Sequence, residues 1–132
     1  MQVKDNLMVG DLVKFQGQIC IIEEISAKGW VHLLYADTKR RTNLTSDYIL
    51  DDLQLVKLTK EILGRNFICK NNSYVISDDF CKMKIDERLN TAWQLAFYNE
   101  TDPFFSIISN IFFVHELQHA LKLCGLNIEI KI

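Results

Sequence analysis

Met8-Val9-Gly10-Asp11-Leu12-Val13-Lys14-Phe15-Gln16-Gly17-Gln18-Ile19-Cys20-Ile21-Ile22 is the stretch on which the fold of the first half turns. A Gly-Asp corner leads into a strand, Gln16-Gly17 is a tight turn, and Gln18 to Ile25 is a β-branched run of the kind found in fully buried strands. Working outward, Ala27-Lys28-Gly29 turns the chain again and Trp30 to Tyr35 forms a third strand. A polar loop from Asp37 to Asn43 follows, then Tyr48-Ile49-Leu50, and Leu53 to Val56 closes the set. Short strands separated by frequent turns predict a small barrel or sandwich.

The corner Met8-Val9-Gly10-Asp11-Leu12-Val13 resembles the opening of SH3-like barrels. The resemblance implies an SH3-like β-barrel over residues 1–58 and a role in binding peptides or nucleic acids through its loops.

Thr59 to Gly64 reads as one helical turn, with Thr59 as N-cap and Gly64 as stop. Residues 59–132 then form a β-rich half packed on the first. Asn66–Lys70 and Ser73–Ser77 flank Asn71-Asn72, whose residues tolerate positive φ. Phe80 to Asp86 alternates as a strand with one wet face. Thr91–Tyr98 and Phe104–Ser109 pair around Glu100-Thr101-Asp102-Pro103, with the proline in the turn. A helix over 111–124 presents Val114, Leu117, Leu121 and Cys124 as one apolar stripe. Asn110 caps its start and Gly125 ends it. Leu126 to Ile132 alternates Ile128, Ile130 and Ile132 against Glu129 and Lys131, which predicts a terminal strand. The expected class is therefore α+β.

The barrel opening, the link Leu58-Thr59-Lys60-Glu61-Ile62-Leu63 and the ending Val114-His115-Glu116-Leu117-Gln118 also resemble small uncharacterised proteins of gut Bacteroidetes, their phages and mobile elements. That resemblance implies a fold and a genomic setting but no chemistry.

Composition narrows the function classes. Apolar residues make up 48% and charged residues 24% of 132, values of an ordinary globular chain rather than a disordered one. The net charge is 15 − 17 = −2, with neither half basic, which argues against a duplex-DNA binder. Cys20, Cys69, Cys81 and Cys124 include no C-x-x-C pair. They read as buried free thiols, and the polar start Met1–Asp5 has no signal-peptide core, so a cytoplasmic location is expected. No apolar run approaches the ~20 residues that cross a bilayer, and no membrane role is expected.

His115-Glu116-Leu117-Gln118-His119 has the form H-E-x-x-H. On a helix, the two imidazoles share a face, and Glu116 would serve as general base for a zinc-bound water. The flanks resemble zincin metallopeptidases, in that Leu121 is apolar and residues 117, 118 and 120 are uncharged. The rest of that pattern is missing. Lys122 and Gly125 stand where the extended form has Gly and His, Glu129 is the only acid that follows, and no second long helix is available. The simpler reading places His115, Gln118, His119 and Lys122 on a polar stripe, with Glu116 solvated, no catalytic residue, no metal and no cofactor.

A second candidate is the loop Lys39-Arg40-Arg41, read as lying near Trp30 and Tyr35 at the ends of the third strand. Cations for phosphates beside aromatic faces for bases are what single-strand binding uses. Phe104, Phe105, Phe112, Phe113, Trp93, Phe97 and Tyr98 enrich the second half in aromatics, which serve a core or a homodimer interface. Asp51-Asp52 and Asp78-Asp79 read as turn residues. The expectation is a non-enzymatic binding or adaptor protein with a protein partner. The alternatives are a minimal zinc hydrolase built on the H-E-x-x-H helix and a nucleic-acid module built on the Lys39–Arg41 loop.

Overall fold

A computed structural model describes residues 6–27, 30–42, 48–49, 53–77, 81–87, 92–99 and 102–132. Two antiparallel sheets dominate it, with two short helices, so the α+β class holds. The chain divides into two compact units, Met1–Val56 and Lys57–Ile132.

The first unit holds β1 (Leu12–Phe15), β2 (Gln18–Ile25), β3 (Trp30–Tyr35), β4 (Tyr48–Ile49) and β5 (Gln54–Leu55), in the sheet order β4-β3-β2-β1-β5. Among the described residues no pairing joins β4 to β5, so the sheet is open and no closed barrel forms. The corner before β1 is a β-turn. Asp11 N–H donates to the Met8 carbonyl at 3.1 Å, and Gly10 at φ 95° takes the position that needs positive φ. The buried Asp11 carboxylate accepts from Met8 N–H at 2.8 Å, locking the turn from the other side. Gln16 and Gly17, at φ 50° and 81°, make the two-residue hairpin turn between Phe15 and Gln18.

β2 departs from the fully buried strand that its isoleucines suggest. Cys20 and Ile22 are buried, whereas Ile19 and Ile21 are only half-buried, because only one face of the sheet meets the core. Between Ile22 and Glu24 the register against β3 shifts by a bulge. That extra residue lets Ile22 and Ile25, three apart, both pack on the core, which period-two alternation forbids. The core gathers Leu7, Val13, Cys20, Ile22, Val31, Leu33 and Leu53, with Phe15, Tyr35 and Leu55 packed against it. Each fully buried aliphatic side chain here contributes about 1.5–3 kcal/mol.

The second unit starts with α1 (Lys60–Asn66). Thr59 Oγ1 caps it, accepting from Ile62 N–H at 3.3 Å. The helix runs through Gly64, the expected stop, since Gly64 keeps negative φ and the Asn66 carboxamide takes the Ile62 carbonyl at 2.7 Å instead. Five strands follow, β6 (Ile68–Lys70), β7 (Ser73–Ser77), β8 (Cys81–Glu87), β9 (Trp93–Asn99) and β10 (Asp102–Ile111), as an up-and-down meander in the order β10-β9-β8-β7-β6. Asn71 and Asn72, at φ 51° and 65°, form the β6–β7 turn. In β8, Met83 and Ile85 are buried and Lys82 is exposed, as the alternation requires.

Pro103 lies inside β10 rather than in a turn. It falls where the register against β9 shifts between Asp102 and Ser106, so the missing N–H is accommodated at an irregularity. Trp93 Nε1 donates to the Leu58 carbonyl at 3.0 Å and Leu58 N–H to the Phe112 carbonyl at 2.9 Å, tying the start of this unit to β9 and to the approach of α2.

α2 (Val114–Leu123) begins after Phe113, not at Asn110, because β10 continues through Ile111. It ends as expected. Gly125 adopts φ 74°, and Leu126 N–H reaches back to the Leu121 carbonyl at 2.8 Å. Residues 126–132 form no strand. They pair with no strand, and both backbone groups of Lys131 are taken by the side chain of Asn66 instead. The expected turns at Ala27-Lys28-Gly29 and Glu100-Thr101, and the acid pairs Asp51-Asp52 and Asp78-Asp79, lie wholly or partly outside the described residues. Among the described residues no helix is long and apolar enough to cross a membrane.

Candidate functional site

The H-E-x-x-H segment is helical, as expected, and forms the second to sixth residues of α2. Its side chains do other work. Phe113 has no polar side chain with which to cap the helix, so Glu116 reaches back. Its Oε1 accepts from the backbone N–H groups of Phe112 and Phe113, both at 3.0 Å. That is the glutamate half of a capping box, and the negative charge sits at the positive end of the helix dipole.

His115 is only 1% exposed, which corrects its placement on a polar surface stripe. Val114, His115, Leu117, Ala120 and Leu121 are all buried, an arc of more than half the helix circumference at 100° per residue. The His115 ring stacks on Phe113 (centroids 6.0 Å apart, planes at 24°) and meets His119 edge-on at 5.5 Å. His119 and Gln118 are half-buried and Lys122 is exposed. His115 and His119 are thus neighbours that could offer two ligands. Among the described residues, no three His, Cys, Asp or Glu side chains are grouped to hold a metal ion. With Glu116 engaged by two backbone donors, the arrangement supplies a helix cap and a packed ring cluster rather than a water-activating base.

Cys69, expected to be buried, is exposed on β6, and Cys124, expected on the buried stripe, is half-buried. Burial pushes the thiols of Cys20 and Cys124 up, and the nearby charge of Asp37 adds to this at Cys20. Both are held in the unreactive thiol form.

The second candidate is only partly assembled. Lys39 and Arg40 are exposed on a turn closed by Lys39 N–H to the Tyr35 carbonyl (2.9 Å) and Tyr35 N–H to the Arg40 carbonyl (2.8 Å). Arg41 pairs opposite Leu34 and forms a fork on Glu23, with Nη2 to Oε1 at 2.9 Å and Nε to Oε2 at 3.1 Å. The Arg41 hydrogen bond lowers the Glu23 carboxyl below its ordinary value, and the same bond raises Arg41. Trp30 and Tyr35 stand at opposite ends of β3, roughly 17 Å apart along the strand and, five residues apart, on opposite faces. Tyr35 packs on the core; Trp30 is 39% exposed on the other face. The five residues expected to form one binding surface therefore do not all meet: the turn joins Tyr35 to Lys39 and Arg40, and Trp30 stands apart from it.

Glu23, as the partner of Arg41, was missed by sequence reasoning. Its signal was the run Ile22-Glu23-Glu24-Ile25, whose apolar ends can share a face only across a bulge. The exposed side chains of Met8 and Val9 at the Gly-Asp corner carried no such signal.

No family model matches the chain, and neither a curated protein nor a solved structure matches it.

Proposed function

We propose that the protein is a non-enzymatic binding module that contacts another protein through the outer face of its first sheet. The observation that carries this reading is Trp30. It is a large rigid aromatic left exposed on the sheet face opposite a closed core, and it opens a strand that also presents His32 and Leu34 to that side. Tryptophan buries a large area on binding with little loss of rotamer freedom, which is why it is enriched at interface centres. The return of β5 to pair with β1, together with the Gly10-Asp11 corner, supports an SH3-like reading of this unit. The free thiols of Cys20, Cys69 and Cys124 fit a reducing cytoplasm.

The rival chemistries draw less support. A zinc hydrolase would need Glu116 released from its cap. A nucleic-acid module would keep only Lys39 and Arg40 of its basic loop, since Glu23 holds Arg41.

The test compares full-length protein and Trp30→Ala as baits in a lysate of the native host. A polypeptide that co-purifies stoichiometrically with the wild type and is lost with Trp30→Ala is the expected result. Rebinding of that polypeptide should shift the emission of Trp30 to the blue, distinguishable from the buried Trp93 because only Trp30 is open to a soluble quencher. Equal retention by both baits, or no retained polypeptide, would remove the reading.

A further inference from the structure

We infer that residues 126–132 are the intramolecular occupant of a peptide-binding surface at the end of α1, and that an extended segment of another protein chain can displace them. This stands apart from the Trp30 reading, since every residue it uses lies in the second unit.

The segment is held in an unusual way. Leu126 belongs to the cap of α2 through its N–H to Leu121. Of the residues beyond it, Asn127, Ile128, Glu129, Lys131 and Ile132 are exposed, while Ile130 is 4% exposed. Ile130 is thus a single aliphatic anchor in an otherwise exposed stretch. Directly after it, Lys131 is gripped by the carboxamide of Asn66. Oδ1 accepts the Lys131 N–H at 2.7 Å, and Nδ2 donates to the Lys131 carbonyl at 2.7 Å. The second hydrogen of Nδ2 is spent on the Ile62 carbonyl, which fixes the amide to the last turn of α1.

A carboxamide offers a donor and an acceptor side by side, as the N–H and C=O of one extended strand residue do. Bonded to both backbone groups of one residue, it takes the place of a neighbouring strand. It reads main chain, so it is indifferent to the side chain it holds, and here that side chain is a solvated lysine. Choice comes from the position before, where the protein buries an aliphatic side chain. A backbone clamp beside a side-chain anchor is the pattern by which proteins take up extended peptides. The ligand class follows: an extended segment with an aliphatic residue immediately before the residue clamped by Asn66. The tethered segment competes with it at the high effective concentration of an intramolecular ligand, so the surface is masked until the tether is weakened or outcompeted.

The probe is a fluorescein-labelled peptide of the chain's own sequence, Leu126 to Ile132, titrated into the full-length protein. Ile130→Asp and Lys131→Pro weaken the tether and leave Asn66 and the surroundings that bury Ile130 in place. Lys131→Pro removes the N–H that Asn66 accepts and also fixes φ at that position. Both variants should bind the peptide at least about tenfold more tightly than the wild type. Adding Asn66→Ala should abolish the gain, and a peptide with Asp at its Ile130 position should not bind. Far-UV circular dichroism and cooperative unfolding report on the fold of each variant. Folded variants with no gain in affinity would overturn the inference, as would a gain that survives Asn66→Ala. Loss of cooperative unfolding in both variants would also overturn it, because the segment would then be an obligatory part of the core. None of these results bears on Trp30, whose own variant leaves peptide binding unchanged if the inference is right.

Discussion

In the first unit the chain reverses at Met8–Asp11 and again at Gln16-Gly17 through turns closed within four residues, its strands β1 to β4 pair with their neighbours in sequence, and β5 closes the sheet by backbone pairing with β1. The second unit repeats that plan in its meander but closes it differently. Trp93 bonds to Leu58 across 35 positions, and Asn66 bonds to Lys131 across 65. Polar side chains on one element satisfy the backbone of a distant one, where the first unit uses turn chemistry and alternation. Local devices leave a pattern in the sequence, whereas a single indole or carboxamide that completes a distant backbone leaves none.

The comparison can be probed first where the two units should behave alike. Leu33 in the first core and Ile85 in the second are both buried by alternation. Truncation of either to alanine should cost about 2–5 kcal/mol, read from denaturant unfolding midpoints. A cost below about 1 kcal/mol at Leu33 would mean that the first unit does not form a packed core of its own.

The units should part company at Trp93→Phe. The substitution keeps most of the buried ring but strips the donor from the Leu58 carbonyl, at a cost of about 1–3 kcal/mol for the unmet acceptor. No measurable change would show that the second unit, like the first, is held by alternation and turns, and the contrast would collapse.

The smallest effect belongs to the Glu23–Arg41 pair, a surface pair in which Arg41 is exposed and Glu23 half-buried. Its carboxyl is lowered in the folded state, so its contribution is present above the unfolded value of 4.5 and is lost as the pH falls through the folded value. The stability difference between wild type and Glu23→Gln should therefore be present at neutral pH and vanish in acid. A difference that persists unchanged in acid would mean that the ion pair does not form in solution.

The same contrast explains what could be read beforehand. Gly10-Asp11, Gln16-Gly17, Asn71-Asn72, the Thr59 cap and Gly125 each carry a local conformational preference, and each sits where that preference puts it. The start of α2 was misplaced because Asn110 is the stronger isolated cap, yet β10 needs it as a strand residue. Glu116, three residues after Phe113, held the true signal. The burial of His115 was hidden by reading one narrow apolar stripe, where the helix buries a wide arc that includes Ala120 and an imidazole. The terminal strand is absent for a tertiary reason: Ile128, Ile130 and Ile132 supply a strand's pattern, but the backbone of Lys131 is taken by the Asn66 carboxamide rather than by a neighbouring strand. The expected loop site failed on parity. Residues at the two ends of a six-residue strand face opposite ways, so Trp30 and Tyr35 could never share one surface.

The claim at the centre is that the His115–His119 helix is a structural element and that the protein works by binding. The most direct test is the zinc content of full-length protein purified without a metal-binding tag, with His119→Ala measured beside it. Zinc far below one ion per chain in both proteins is the predicted result. Near-stoichiometric zinc in the wild type that disappears in His119→Ala would contradict it, and would make the two imidazoles ligands.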